Sequence, residues 1–288
     1  MERGMKLVLM LLFVGSVVLF ASGCVSEQPP EEGAEEGVTP EAEEGMEVED
    51  EDEEAEEGME VEDEDEEMEE EMGVEEGEEY SPVINPEDFV EEIDNTYFPL
   101  VPGTTFVYEG VGEDGEAIRN EVTVTDETKE VMGVTTTVVL DREWEDEELI
   151  EETFDWYAQD GDGNIWYFGE DSKEYEDGEV VSTAGSWEAG VGGALPGILI
   201  KGDPQLGDVY RQEYWEGEAE DMAEVLSLDE SVTVPYGSFE DCLQTKEWNP
   251  LEPDSEENKY YAPEVGLLLE VQVKGGDERL ELIEIITE

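Results

Sequence analysis

The sequence predicts a mainly β fold: a curved antiparallel meander sheet or a full or half barrel, with one short N-terminal helix, preceded by a disordered acidic segment. Three observations carry this. Val122-Thr123-Val124-Thr125, Thr153-Phe154-Asp155-Trp156-Tyr157, the end of Leu267-Leu268-Leu269-Glu270-Val271-Gln272-Val273-Lys274 and Leu280-Glu281-Leu282 alternate with period two, as on a pleated, half-buried surface. Turn signals recur at short spacing, at Glu113-Asp114-Gly115, Asp160-Gly161-Asp162-Gly163-Asn164, Asp177-Gly178, Pro235-Tyr236-Gly237 and Gly275-Gly276-Asp277. No helical segments alternate with these runs, so an α/β order is excluded and about ten strands are expected.

The chain divides into three parts. Residues 1–23 read as a secretory signal peptide: Arg3 and Lys6 form the basic region, Leu7 to Phe20 the apolar run, and Ala21-Ser22-Gly23 the small residues before Cys24. The run is shorter than the roughly 20 residues of a comfortable membrane span. Residues 24–80 are a linker holding 31 acids and no Lys or Arg. Within it GMEVEDEDEE occurs at Gly45 to Glu54 and again at Gly58 to Glu67, a 13-residue duplication. Such a segment has little apolar surface to offset chain entropy and its charges repel, so it is expected to be an extended spacer with a diffuse counter-ion cloud. The alternative, a specific cation buffer, lacks the fixed loop that Ca²⁺ requires. Residues 81–288 carry all six Trp and form the one part with the composition of a folded domain.

Asn85-Pro86-Glu87-Asp88-Phe89 supplies an N-cap residue, Pro at the first helical position and acids in the first turn, and Phe89 and Ile93 share a face, which predicts a helix over 86–95. Gly185 to Pro204, rich in Gly around Ala194-Leu195 and Ile198-Leu199-Ile200, reads as a long loop with an apolar middle, packed on the core as a plug or, alternatively, serving as a ligand lid.

Charge and composition exclude several functions. With 12 Lys and Arg, 87 Asp and Glu and no His, the net charge of −75 repels nucleic acid and anionic headgroups. Without imidazole there is no Ser-His-Asp or Cys-His site and no His-ligated metal. Asp160, Asp162 and Asn164 begin like a calcium loop with Asp171 at its twelfth position, but Ile165 stands where that loop needs Gly, so a hairpin turn accounts for them. Ca²⁺ or another divalent cation there is the weaker alternative, and no cofactor is expected. The six Trp fit cross-strand packing better than a sugar or lipid cleft. Cys242 reads as a small buried residue, with an intermolecular disulfide as the alternative.

Ala21-Ser22-Gly23-Cys24 resembles the lipobox of bacterial and archaeal lipoproteins. That resemblance implies cleavage before Cys24 and lipid on its thiol. Tyr97 to Gly110 and Asp162 to Glu170 are similar to stretches of uncharacterised secreted lipoproteins of prokaryotes. Val234-Pro235-Tyr236-Gly237-Ser238-Phe239-Glu240-Asp241-Cys242 is similar to a hairpin of half-barrel envelope lipoproteins that carry lipid or lipidated cargo. The likeness covers about Asn95 to Glu288 and implies a β-rich extracytoplasmic domain; it carries over no catalytic residue.

The expected protein is a non-enzymatic lipoprotein, anchored to the cell membrane on its extracytoplasmic side through Cys24, with a binding or structural β-domain. Its partners are the membrane and an unknown protein or small apolar ligand. The alternatives are a half-barrel carrier of an apolar ligand, with residues 190–200 as its flap, and a carboxylate-dependent hydrolase. Residues 81–288 hold 55 acids against 10 basic residues, and self-repulsion on that scale is relieved by ions. The melting temperature should therefore rise with NaCl or CaCl₂; a melting temperature indifferent to both would show that repulsion does not limit the fold.

Overall fold

The structure, a computed structural model, describes residues 80–112 and 115–287. The signal peptide, Cys24, the acidic segment through residue 79, and Glu113 and Asp114 of the first predicted turn lie outside the described residues.

After a 3-10 turn at Pro86–Asp88 come β1 (Ile93–Asn95) and β2 (Phe98–Leu100), a small hairpin of their own. A first meander follows: β3 (Thr104–Val111), β4 (Ala117–Val131), β5 (Val134–Glu145), β6 (Glu148–Gln159) and β7 (Ile165–Glu176). Five short strands succeed it: β8 (Glu179–Ser182), β9 (Trp187–Glu188), β10 (Leu195–Ile200), β11 (Val209–Arg211) and β12 (Glu213–Tyr214). The second meander is β13 (Met222–Val234), β14 (Gly237–Trp248), β15 (Glu256–Ala262), β16 (Gly266–Lys274) and β17 (Arg279–Thr287). The predicted alternating runs fall in β4, β6, β16 and β17. Two-residue turns with both residues at positive φ, Met132-Gly133 and Asp177-Gly178, close the β4–β5 and β7–β8 hairpins, the conformation that suits the twist of paired strands.

All ladders are antiparallel. One sheet runs β11-β13-β14-β15-β16-β17-β3-β4-β5-β6-β7-β10-β12, with β8 and β9 attached to β7. The pairing of β17 with β3 joins the two meanders. The sheet is open, which corrects the full-barrel alternative. Its terminal strands are consecutive in the chain, separated by Gln212 alone, and they pair outward in opposite directions: Val209–Arg211 with β13 and Glu213–Tyr214 with β10. Strands of two and three residues are too short to pair along both sides, so hydrogen bonding changes partner at Gln212. Its amide donates to Asp221 O at 2.8 Å and its side chain to Leu199 O at 3.3 Å.

The helix expected over 86–95 is reduced to the single turn at Pro86–Asp88. Asn85 makes no side-chain cap bond, and Phe89 is already extended. Tertiary bonds then take the segment: Val90 N donates to Gln159 O, and the amides of Asp94 and Asn95 both donate to Gln159 Oε1, at 2.9 and 2.8 Å. So short a helix is marginal alone, and these bonds, with Phe89 edge-on to Trp166 and Phe168, outweigh it.

The predicted loop over Gly185 to Pro204 is also corrected: it contributes β9 and β10 to the sheet. Close backbone approach is the reason for Gly197 and Gly202. A Cβ on Gly197 would press into the carbonyl of Gln212 and the amide of Glu213, the stretch where the sheet changes partner. Gly197→Ala should therefore cost about 3 kcal/mol, because backbone cannot move aside as a side chain can. Urea unfolding measures this; an unchanged midpoint would mean that β10 and residues 212–213 are not in close contact.

Candidate functional site

Alternation along the long strands sends acids inward. In β5 the buried positions run Val139, Asp141, Glu143 while Leu140, Arg142 and Trp144 face out. β6 buries Glu151, Thr153 and Asp155, and β7 buries Glu170 and Ser172. Register places these side by side: Val139, Asp155 and Glu170 form one cross-strand row, Asp141, Thr153 and Ser172 the next, and Glu143 with Glu151 the third. The second meander repeats the pattern. Thr245, Lys259 and Glu270 share a row on β14, β15 and β16, and Glu247 pairs with Glu257 beside it. Among the described residues, nine Asp and Glu are buried, against a single buried lysine.

That lysine is the hub of the second group. Lys259 Nζ lies 2.8 Å from Glu257 Oε1, 3.1 Å from Glu247 Oε2 and 3.6 Å from Glu270 Oε2, with 2 % of its side chain exposed. Burial pulls its ammonium toward neutrality, but the three carboxyls outweigh burial and hold it charged. Burial pushes both Glu257 and Glu270 up, with Glu247 adding to it on Glu257 and Glu257 on Glu270, against the pull of Lys259.

The first group has no buried cation on its own strands, Arg142 and Lys173 being partly exposed. The Tyr167 hydroxyl sits 2.8 Å from Asp155 Oδ1 and 2.5 Å from Glu170 Oε2. Burial, then the neighbouring charge of Asp141 on Asp155 and of Asp155 on Glu170, pushes both carboxyls well above their usual range. Glu151 Oε1 accepts bonds from Thr153 Oγ1 and Ser172 Oγ, at 2.8 and 3.1 Å, and burial still raises it to about 7. Asp141 is raised to about 8 by burial and by Glu151, although Asn120 Nδ2 donates to it. Asp141 Oδ2 and Glu170 Oε1 are buried without hydrogen-bond partners. Lys259 lowers Asp141 and Glu270 raises Glu143, so the two walls face one another across the interior.

Asp141 and Asp155 also line an enclosed cavity of about 30 Å³, whose other walls include Phe98, Phe106, Tyr157 and Leu267 beneath the β1–β2 hairpin. That volume matches one water and is far below an acyl chain. A larger cleft, about 750 Å³, opens on the surface between Glu109, Arg119, Trp144, Asp146 and Glu147. Outside, charge is paired differently: each of the ten Lys and Arg of residues 81–288 makes an ion pair, nine of them at the surface or partly exposed.

Asp160, Asp162 and Asn164 form the β6–β7 hairpin turn. Asp160 Oδ1 accepts the amides of Asp162 and Asn164, Asp160 Oδ2 accepts Asn164 Nδ2 and Trp166 Nε1, and Asn164 Oδ1 accepts Gly202 N. Among the described residues no three His, Cys, Asp or Glu come together as metal ligands would. The tryptophans do not gather into one cleft: Trp156 lies under Lys129 Nζ, 3.0 Å from the ring centroid, Trp187 stands edge-on to Tyr167, and Trp144 lines the outer cleft. Cys242 is buried in β14. Composition alone did not show the carboxyl interior, but a signal existed: Val139-x-Asp141-x-Glu143, Leu243-x-Thr245-x-Glu247 and Leu268-x-Glu270-x-Gln272 each run from apolar to acid on one strand face.

Solved structures to which the chain is similar include a protein of Bacteroides fragilis NCTC 9343 named as exported and as having a YmcC-like fold (15% identity, TM-score 0.42), and a protein of Parabacteroides distasonis ATCC 8503 named as a lipoprotein (14% identity, TM-score 0.38); in each case 67% of this chain is covered and 100% of the other. No family model matches the chain, and no curated protein does.

Removing the one interior cation tests the charge arrangement. Lys259→Met leaves Glu247, Glu257 and Glu270 uncompensated and should cost about 3–5 kcal/mol at neutral pH. The loss should shrink below pH 5, where the carboxyls can hold protons instead. Urea unfolding at the two pH values measures it; equal losses would mean that the lysine contributes packing and not charge.

Proposed function

We propose that this chain is an extracytoplasmic lipoprotein held to the cell membrane by lipid on Cys24, and that its β-domain is a non-catalytic binding or structural module. The observation that carries the second half is the sealing of the carboxyls. Glycoside hydrolysis needs two acids that a substrate reaches, set about 5–5.5 Å or about 6.5–9.5 Å apart. Asp155 and Glu170 are each 2 % exposed and joined through Tyr167, so the pair has no access to substrate. The carrier reading needs a wide apolar cavity, and the cavity beneath the β1–β2 hairpin has room for a single water.

The outer cleft is an accessible concavity among the described residues, and its volume is in the range of small-ligand sites. An indole beside a guanidinium and three carboxylates offers stacking, hydrogen bonding and negative potential, suited to a polar or cationic group on a partner. The first half of the reading is supported by the basic start, apolar run and small residues before Cys24. Residues 24–79 then act as the spacer between membrane and domain.

Mass spectrometry of the native protein should give a mature chain beginning at lipid-modified Cys24, recovered in the membrane fraction. Cys24→Ser should leave the membrane fraction and keep the melting temperature of the domain. A native chain that keeps Met1, or remains in the cytosol, overturns the reading.

A further inference from the structure

Hydrogen-bond geometry counts protons in the interior. The Tyr167 hydroxyl is within bonding distance of Asp155 Oδ1 and of Glu170 Oε2, yet a phenol has one hydrogen to donate. It donates to one carboxyl. The second contact is a hydrogen bond only if the other carboxyl is protonated and donates to the phenolic oxygen. The second wall makes a like demand by charge: Glu247, Glu257 and Glu270 crowd one ammonium, Lys259 Nζ, at 3.1, 2.8 and 3.6 Å, and one cation cannot neutralise three buried carboxylates.

We propose that the domain is a proton-dependent closure: one proton in the Asp155–Tyr167–Glu170 bridge and one on the Glu257–Glu270 pair beside Lys259 let the facing walls β5–β7 and β14–β16 pack, and their loss puts like charge on both faces and drives the walls apart. Charge around both places favours this. The bridge is faced by Asp141 from β5, Glu151 and Tyr157 from β6, Glu213 from β12, and Asp221. The Glu257–Glu270 pair is faced by Glu247 from β14, Lys259 on β15, Glu143 from β5, and the hydroxyls of Tyr108 and Tyr261. Lys259 is the one cation among all of these, and it already has three carboxyls around it.

The direction follows from linkage. Unfolded carboxyls titrate near pH 4. In the fold Glu151 titrates at about 7 and Asp141 at about 8, and Asp155, Glu170 and Glu270 are pushed up as well, by burial first. From about pH 4 upward the folded state therefore binds more protons than the unfolded one, so stability is full below that pH and falls up to about pH 8. Each such proton lowers the folding constant about tenfold per pH unit.

The test uses the full mature chain in 1 M NaCl, where exterior charges are screened beyond about 3 Å and interior ones much less. Urea unfolding is followed through the buried Trp156 and Trp187 between pH 5 and 9. The folding constant should fall at least about a hundredfold per pH unit between pH 5 and 7, two protons' worth. Glu170→Gln, which keeps the shape and donor of a protonated carboxyl, should reduce that slope by about one tenfold step and exceed the wild type in stability at pH 8. The exposed Glu127→Gln should leave the slope unchanged. Infrared spectra of the wild type at pH 7 should show protonated carboxyl absorption that disappears in urea, a readout that needs no variant to fold. A folding constant that is flat or rises from pH 5 to 8, or the absence of that absorption in the folded protein, overturns the proposal. So does a slope that vanishes on adding CaCl₂, which would assign the neutralising role to cations.

Discussion

An antiparallel sheet that turns nine acids and one lysine toward its own interior can close only if most of those acids are uncharged. Two unit charges 4 Å apart repel by about 4 kcal/mol even at an effective dielectric of 20. A domain of this size is held together by roughly 5–15 kcal/mol in total. A handful of bare carboxylates in contact would exceed that margin. The carboxyls are thus built to be neutral donors as well as acceptors, bridged by a phenol at Tyr167 and crowded onto one ammonium at Lys259. Neutral acids lining strands are no worse packed than Gln or Asn, and they retain a titratable hydrogen.

Lys259 shows why the arrangement is not merely tolerated on one wall. It sits on the middle strand of β14-β15-β16, so carboxyls reach it from its own strand and from both neighbours: Glu257, Glu247 and Glu270. No comparable cation stands on β5, β6 or β7, where hydroxyls of Thr153, Ser172 and Tyr167 stabilise the acids instead. The two walls solve the same desolvation problem by different chemistry. They are held in register at two places: in the middle of the sheet β17 on β3 links the meanders, and at its ends the stretch through Gln212 ties β13 to β10. Tyr80 fixes the start of the folded part at that stretch, its hydroxyl donating to Pro196 O at 2.9 Å and its ring edge-on to Tyr214.

The strands themselves were readable in the sequence, and their faces were not. Thr153-Phe154-Asp155-Trp156-Tyr157 alternates cleanly, and the ordinary rule would bury Phe154 and Trp156 and expose Asp155. Here Asp155 is buried, Phe154 is half-buried, and Trp156 is covered from outside by the Lys129 ammonium. Period-two patterning fixes which residues share a face but not which face is wet, and the rule that polar residues point outward fails when carboxyls are protonated. The helix over 86–95 and the loop over 185–204 failed for a related reason. Asn85, Pro86, Pro196 and the glycines carry strong local signals, while the bonds from Gln159 and the close approach of Gln212 come from residues far along the chain. Of the residues singled out for chemistry, Asp160, Asp162 and Asn164 are joined in a hairpin turn, and Cys24 lies outside the described residues.

The acids therefore fall into two populations that respond to different agents. Those outside, paired with nine of the ten Lys and Arg or facing water, interact through a medium that salt screens over about 8 Å at physiological strength. Those inside interact through protein, where salt has little reach, and they exchange charge only with protons. A rise in ionic strength relieves the exterior and leaves the interior unchanged; a fall in pH relieves both. The two effects are separable because a folded sheet lies between the populations, with Leu140, Arg142 and Trp144 on one side of β5 and Val139, Asp141 and Glu143 on the other. The position of each carboxyl relative to the sheet decides which of the two agents it senses.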